Sequence, residues 1–316
     1  MKRYKVAVLA LLLAVASTFA STAAAQPIIT SVPISSSDGV YLVETILPSP
    51  EGEFRMNNLL LVQPDSVVLV DTLPPGLYPF FAAEIHGWTA GEPVSTLINT
   101  SWHFDHVGLN ADFRLFEGTS TIIAHSGAGD YMVEANCIED IGLCMPPMPE
   151  EAQPTHGIRG VVTLLPEHGG ITLKTVENAH SGADLVVYIE EANVVYTGDV
   201  YFGGMYPIID RTGGGTVNGT LHALNQVLAR INEDTIVVPS HGVVGTRQSV
   251  VEFAEMLKTS RKLVRELIAE GLTEQQVMFH PSFAALDAQW GNGFIPGPVF
   301  RLIVYRDLAS SRGGRN

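Results

Sequence analysis

A run of four residues, His103-Phe104-Asp105-His106, carries the side chains of this chain that are best suited to chemistry. On an extended segment, residues two apart point the same way, so His103 and Asp105 would share a face. His106, after a bend, would turn toward a neighbouring position. Two imidazoles and a carboxylate suit zinc or a similar borderline cation. Taken alone, the cluster fits a metal site as well as it fits polar residues that cap a strand or a helix.

Three further candidate ligands lie beside apolar runs elsewhere in the chain. His180 precedes the run 185–189, Asp199 follows the run 194–197, and His241 follows the run 235–238. Each is flanked by glycine or another small residue. Because a sheet brings the ends of its strands together, we expect these three side chains to meet the first cluster.

Apolar patterns predict the elements that must position these residues. An alternating or continuous apolar pattern predicts strands at 58–62, 66–71, 94–99, 121–124, 170–176, 185–189, 194–197 and 235–238. Helical spacing predicts helices at 76–88, 216–231 and 248–269. Strands followed by helices, twice over, indicate an α/β fold in which two packed β-sheets carry helices outside.

In order and context these segments resemble the metallo-β-lactamase superfamily. Its signature is His-x-His-x-Asp-His, then a distant histidine, an aspartate and a final histidine. Asp71, in Val-Leu-Val-Asp-Thr, matches its early aspartate. The resemblance covers residues 40–260 and is closest to exported members with unassigned substrates, through the stretches 99–106 and 202–210. It implies a single-domain αββα sandwich with the site at one edge.

The resemblance also implies a role for each candidate residue. His103 and His180 would bind metal 1, whereas Asp105, His106 and His241 would bind metal 2; Asp199 would bridge the two ions, and Asp71 would support the ligands from behind. The chain departs from the family at Ser101, where the first motif histidine is expected. A serine hydroxyl is a poorer zinc ligand than imidazole. We therefore expect one or two zinc ions, with metal 1 held more weakly, and regard iron or manganese as less favoured.

A metal ion lowers the pKa of the water that it binds and so supplies hydroxide near neutral pH. The resemblance thus implies a zinc-dependent hydrolase that cleaves an acyl bond of a lactam, lactone, ester or thioester, with Asp105 orienting the hydroxide. The bridging Asp199 is more similar to the glyoxalase II and lactonase branches than to the β-lactamases. Because of Ser101, a catalytically weakened, metal-binding accessory protein of the periplasm is an alternative. An iron-dependent oxidoreductase is a weaker one, since no flavin or persulfide-handling feature is visible.

The N-terminus predicts export. Lys2, Arg3 and Lys5 precede an apolar run at 6–16, and small residues at 23–25 precede Gln26. This pattern is typical of a secretory signal peptide over 1–25, cleaved after Ala25, which leaves a hydrolase domain at 26–316 in the periplasm or secreted. A membrane anchor is the alternative, but a span needs about 20 apolar residues. We expect no membrane span in the mature chain.

The net charge limits which partners we expect, and the two cysteines bear on the cellular compartment. A net charge of −15 repels phosphate backbones, so we expect a small-molecule substrate and no nucleic acid. The only cysteines, Cys137 and Cys144, lie in a segment (136–155) that we expect to be irregular. In an oxidising compartment a disulfide is the simplest interpretation, with free thiols or metal binding as alternatives.

The remaining histidines and the aromatic residues of the motif are expected to be structural. His125 follows a predicted strand, where it would cap a helix or form a hydrogen bond in the core. Trp102 and Phe104 should point away from the metals into packing. The histidines without a ligand context are expected at the surface or in structural roles: His86, His156, His168, His222 and His280.

Overall fold

The structure is a computed structural model that describes residues 26–34, 39–49, 52–165 and 170–313. The predicted signal peptide and His168 lie outside the described residues. The described strands, in chain order, are β1 (Ile28–Pro33), β2 (Val40–Ser49), β3 (Gly52–Gln63), β4 (Ser66–Val70), β5 (Thr96–Ile98), β6 (Thr121–His125), β7 (Asn136–Ile138), β8 (Leu143–Met145), β9 (His156–Ile158), β10 (Val161–Leu164), β11 (Ile171–Val176), β12 (Asp184–Ile189), β13 (Val194–Gly198) and β14 (Ile236–Pro239).

The structure also describes nine α-helices. They are α1 (Tyr78–Thr89), α2 (Phe104–Val107), α3 (Asn110–Phe116), α4 (Ala128–Met132), α5 (Val217–Leu228), α6 (Arg247–Ala269), α7 (Glu274–Met278), α8 (Ala284–Trp290) and α9 (Gly297–Gly313). The long helix α6 begins with a capping box, in which Thr246 and Ser249 satisfy each other's backbone N–H groups. No helix among the described residues is long and apolar enough to cross a membrane.

The strands form two large sheets. The first has the order β1-β2-β3-β4-β5-β6-β9, antiparallel from β1 to β4 and parallel from β4 to β9. The second has the order β10-β11-β12-β13-β14, antiparallel except for the parallel pair β13–β14. In each sheet, the parallel strands therefore end at the same edge.

Strand β4 shows how the sequence produces the layers. Successive side chains of a strand point to opposite faces. Val68 and Val70 enter the core between the two sheets, whereas Val67 and Leu69 enter the core under helix α1. All four are buried, which explains the unbroken apolar run. The outer face of the second sheet is likewise covered by α5, α6 and α9.

The predicted α/β fold with two packed sheets, an αββα sandwich, is confirmed. The predicted strands and long helices lie where the patterns placed them, with ends shifted by a few residues. The interpretation of 136–155 as irregular was wrong: β7 and β8 pair antiparallel, with Cys137 directly opposite Cys144. The two cysteines are joined by a disulfide, with Cα atoms 4.0 Å apart. Strands of three residues are too short to show a hydrophobic period, so the pattern could not reveal them.

Candidate metal centre

The candidate ligands lie where parallel strands of the two sheets end. The motif follows β5, Asp199 follows β13, and His241 follows β14. His180 lies in the turn that precedes β12. All six candidate side chains converge in two groups, within which the possible ligand atoms lie within 4.8 Å of one another: His103, His180 and Asp199; and Asp105, His106 and His241.

A change of backbone conformation splits the motif between the two groups. His103 is extended (φ −67°, ψ 150°) and immediately precedes helix α2, which begins at Phe104. Asp105 and His106 therefore lie in a helical turn rather than on a strand. The expected two-residue alternation ends at His103, so His103 and Asp105 do not share a face but serve different groups.

The side chains of the first group are buried. His103 Nδ1 lies 3.0 Å from His180 Nε2, which lies 3.1 Å from Asp199 Oδ2. Each of the three residues is less than a tenth exposed. Ser101 is buried beside them, with its Oγ 2.9 Å from His103 Nδ1. The hydroxyl of Ser101 therefore lies directly beside the first group.

The second group shares Asp199 with the first. His241 Nε2 lies 3.1 Å from Asp105 Oδ2 and 3.6 Å from Asp199 Oδ1. His106 Nε2 lies 3.3 Å from Asp199 Oδ2. Asp199 therefore presents one oxygen to imidazoles of both groups, as a bridging carboxylate would.

Two of the imidazoles are oriented by carboxylates on their far side. His103 Nε2 lies 3.0 Å from Asp210 Oδ2, and His106 Nδ1 lies 2.8 Å from Asp71 Oδ2. Asp71 also accepts hydrogen bonds from the backbone N–H and the hydroxyl of Thr100, at 2.6 and 2.5 Å. It adopts a left-handed backbone conformation (φ 60°), which is uncommon for a residue other than glycine and is held here by these contacts.

The other two imidazoles are oriented by backbone carbonyls. His180 Nδ1 donates to the carbonyl of Ile208 at 3.0 Å, and His241 Nδ1 donates to that of Arg55 at 3.3 Å. Metal-binding histidines almost always use their second nitrogen in this way, because the outer hydrogen bond fixes the tautomer and the ring.

This outer shell leaves unprotonated nitrogens facing the centre of the site. When His103 donates to Asp210 and His180 to a carbonyl, neither neutral ring has a proton left for the other across the 3.0 Å gap. His106 Nε2 is buried and makes no hydrogen bond. A cation would bind the facing lone pairs of His103 and His180 and the unpaired nitrogen of His106. The donor set therefore fits a metal ion that accepts nitrogen and oxygen ligands.

Neighbouring histidines keep two carboxylates of the site ionised. Burial alone would raise the pKa of Asp199, but His180, His106 and His241 outweigh it and hold that pKa well below its usual range. Burial likewise opposes ionisation of Asp105, yet the neighbouring His106 and His241 lower its pKa to about 2. Both carboxylates are therefore anionic across the physiological range.

Residue 198 must be glycine for the site to close. Gly198 has a positive φ of 52°, and a Cβ there would lie 2.5 Å from Thr100 Oγ1. Thr100 is the residue that holds Asp71, so a larger side chain before Asp199 would disturb both groups. The small residues that flank the ligands in the sequence are thus explained by close backbone approach.

Two contributors were not found from the sequence. Asp210 was noticed only as part of a stretch similar to exported relatives, and its contact with His103 joins residues 107 positions apart. Asn57, on β3, donates to the carbonyls of Pro239 and Gly242 at 2.9 Å and so holds the loop that carries His241. Neither residue has a sequence context that signals its role.

A cavity opens from the site to the solvent. Its volume is about 380 Å³, including space continuous with bulk solvent. Five of the candidate ligands lie at its base: His103, Asp105, His180, Asp199 and His241. Its walls are entirely apolar side chains: Phe54, Phe104, Ile138, Leu143, Met145, Ile208 and Phe294.

The expectation that Trp102 and Phe104 enter packing is confirmed, but Phe104 does not point away from the site. Phe104 packs against the core and also lines the cavity. Trp102 is buried in the core, between Tyr131 (ring centroids 4.7 Å apart) and His103 (4.1 Å). It therefore supports the first group from outside.

The other described histidines have structural or surface positions. His125 is buried and accepts a hydrogen bond from the backbone N–H of Gly127 at 3.0 Å, at the start of helix α4, as expected. His156 is exposed on β9 and contacts Thr155, so it does not replace the missing ligand. The remaining three are partly or fully exposed: His86, His222 and His280.

Fold and site together define an αββα protein with a buried histidine–aspartate centre at one edge of its sheets. The model of the metallo-β-lactamase superfamily matches residues 52–241, so the chain belongs to that superfamily. No curated protein matches the chain.

Several solved structures share the fold at low sequence identity. The metallo-β-lactamase FIM-1 of Pseudomonas aeruginosa, in its mono-zinc form, is 18% identical, with a TM-score of 0.58 over 73% of this chain and 96% of its own. A metallo-β-lactamase of Pontibacter korlensis is 16% identical, with a TM-score of 0.56 over 73% of this chain and 99% of its own. A metallo-β-lactamase of Hirschia baltica is 19% identical, with a TM-score of 0.56 over 72% of this chain and 97% of its own. At these identities the likeness shows the fold alone.

Proposed function

We propose that this chain is an exported, zinc-dependent hydrolase that cleaves an acyl bond of a lactam, lactone, ester or thioester. One observation carries the proposal: four buried imidazoles each direct one nitrogen outward to a carboxylate or carbonyl. Three of them turn the other nitrogen toward Asp199 or Asp105, and His103 turns it toward His180. Such preorganisation serves metal binding and has no purpose in a simple core. Superfamily membership supports a hydrolase in general.

The residues divide into holding and reacting roles. His103, His180 and Asp199 would hold one ion, and Asp105, His106, His241 and Asp199 a second. Zinc, when bound, lowers the pKa of water and polarises a carbonyl group. Asp105 is the ligand whose side chain is most open to the cavity, at 12% exposure against 6% or less for the other five. Because its pKa is low, Asp105 stays anionic and can accept a hydrogen bond that orients the attacking water.

Metal analysis and a substrate panel test this proposal together. Chain beginning at Gln26 is purified, its metal content measured, and turnover followed on one lactam, lactone, ester and thioester. We expect bound zinc and hydrolysis of at least one bond type. Asp199→Asn should lose zinc and activity, whereas His222→Gln, exposed on helix α5, should keep both. Hydrolysis that persists unchanged in Asp199→Asn would overturn the proposal.

The second candidate function is a metal-binding accessory protein without turnover. Ser101 favours it, because the buried hydroxyl replaces an imidazole beside the first group. Against it, the remaining six positions and their outer hydrogen bonds are complete. Zinc binding without hydrolysis of any member of the panel would favour this candidate over the enzyme.

Export is part of the proposal and has its own support. The Cys137–Cys144 disulfide suits an oxidising compartment, as does the sequence of residues 1–25. Expression of the full chain in a bacterium with an outer membrane, followed by fractionation, should recover a periplasmic or secreted protein whose N-terminus is Gln26. Retention of Met1 in a cytoplasmic product would contradict it.

A further inference from the structure

The walls of the cavity differ in chemistry from its base. The base carries histidines and aspartates, whereas the seven wall residues among those described are three phenylalanines, two isoleucines, a leucine and a methionine. Among the described residues, no lysine or arginine lines it.

Three arginines adjoin the wall segments and face carboxylates of the protein. Asp140, in the turn between β7 and β8, is buried and lies 2.8 Å from Arg306 and 3.7 Å from Arg211. Arg55, which follows the wall residue Phe54, forms ion pairs with Glu44 and Glu53. None of the three lines the cavity.

Five segments contribute to the apolar wall, and two of them supply four of its seven residues. The disulfide-bonded hairpin β7–β8 supplies Ile138, Leu143 and Met145. The segment between α8 and α9 supplies Phe294, whose ring packs 4.9 Å from Phe54 and 5.4 Å from His241. The wall is thus held close to the second group and is continuous with it.

We propose that the cavity selects uncharged substrates with an apolar acyl group and rejects substrates that place a carboxylate against its apolar wall. This inference rests on the proposed hydrolase function. An alkyl or aryl group would leave water for the apolar wall. A carboxylate would lose its hydration there without a cationic partner, or would occupy the base of the site in place of the carbonyl. Lactams that bear an anionic ring carboxylate should consequently be poor substrates.

Matched substrates that differ only in the charge of the acyl end test the inference. We would compare p-nitrophenyl hexanoate with mono-p-nitrophenyl adipate, and the corresponding phenyl thioesters, on the zinc-loaded chain. The neutral member of each pair should have a kcat/KM about 100-fold higher, because the buried carboxylate has no partner. Equal rates, or a preference for the adipate, would overturn the inference and leave the hydrolase intact.

Binding to the zinc-free chain separates this inference from the proposed function. Ligand-observed NMR should detect hexanamide in the cavity and show much weaker binding of its carboxylate analogue, adipamate. If neither ester nor thioester is cleaved, the hydrolase proposal loses support and the NMR comparison still decides on the cavity. Adipamate that binds as well as hexanamide would overturn the inference.

Charge variants of the wall make the test specific. Leu143→Lys places an ammonium group in the wall and should shift the neutral-to-anionic ratio of kcat/KM toward the anion by about tenfold. Phe294→Lys places the same charge on the segment between α8 and α9 and should shift the ratio in the same direction. Because it leaves the hairpin sequence unchanged, its result does not depend on whether Leu143→Lys disturbs the hairpin. Val133→Lys, at a position that is 58% exposed outside the cavity, adds the same charge as a control and should leave the ratio unchanged. An equal shift in the control would indicate long-range electrostatics and defeat the assignment to the wall.

Discussion

At the scale of single residues, we propose that Ser101 limits how many ions the centre holds tightly. The first group offers His103, His180 and a share of Asp199, whereas the second offers Asp105, His106, His241 and the other share. Ser101 Oγ lies 2.9 Å from His103 Nδ1, beside the first group.

Ser101→His should therefore strengthen the weaker site. We expect wild-type protein to bind one zinc tightly and a second at least about tenfold more weakly, because a serine hydroxyl is a poorer ligand than imidazole. Calorimetric titration with zinc should show the two affinities converging in the variant. Ser101→Ala is the matched control, and should leave the zinc affinity of the first group unchanged. Two equally tight ions in wild-type protein would contradict this account.

Asp210 acts on metal binding through His103. Asp210→Asn keeps an oxygen that accepts from the backbone N–H of Gly213, a contact of 2.8 Å in the structure, so the local fold should survive. It weakens the hydrogen bond that fixes the tautomer of His103. Zinc affinity at the first group should fall by about 10- to 100-fold, as measured by competition with a chelator. Asp130→Asn, on helix α4, is the control and should not change it.

At the scale of elements, the predicted elements are ones with a long hydrophobic period, although the long strand β2 and helix α9 were not predicted. The alternation in β4 and the helical spacing in α6 placed both elements because each repeats its period several times. The hairpin β7–β8 has three residues a strand and is stabilised by a disulfide and by Asp140, neither of which leaves a period in the sequence. The motif was divided between two groups because α2 begins one residue after His103, a boundary that no capping signal marked.

The same reasoning explains which residues of the site could be predicted from the sequence. The six candidate ligands stand beside apolar runs, and the meeting of strand ends followed from the layers of the fold. Asp210 and Asn57 act through contacts between distant segments, and Phe294 comes from a region after residue 269 for which no pattern was interpreted. Such contacts depend on tertiary packing, which a single sequence does not reveal.

The disulfide should matter for the cavity wall rather than for metal binding. A two-stranded hairpin is only marginally stable in isolation. Replacing Cys137 and Cys144 together by serine should lower the free energy of unfolding by about 2 kcal/mol. KM for an apolar ester should rise several-fold while zinc content stays the same, because no ligand lies on the hairpin. Thermal unfolding, metal analysis and steady-state kinetics check these effects, and a loss of zinc in the double variant would place the hairpin closer to the ligands than we describe.

At the scale of the whole molecule, the C-terminal helices belong to the same unit as the sheets. Helix α9 packs against α6 and α7, and its side chains Phe300 and Ile303 are fully buried in the core on the outer face of the second sheet. Tyr206 donates its backbone N–H to the carbonyl of Trp290 at 3.0 Å, which ties the segment that leads to Phe294 to the loop after β13. The region beyond the superfamily match at 52–241 thus completes both the core and the cavity.

Removing the metal should destabilise the whole molecule, because the site joins the two sheets. Ligands that follow β5 in the first sheet and β13 and β14 in the second converge on Asp199, so a bound ion would hold both sheets together. Without it, the buried, anionic Asp105 and Asp199 have only the neighbouring histidines as a source of positive charge. A ligand that binds only the folded state stabilises it by about 4 kcal/mol at 1,000 times its Kd. Chelation should therefore lower Tm by several degrees, and zinc should restore it. Magnesium, which prefers oxygen ligands, should not. Asp199→Asn is the control, since its Tm should respond little to chelator or zinc. A wild-type Tm that is the same with and without zinc would show that no ion bridges the sheets.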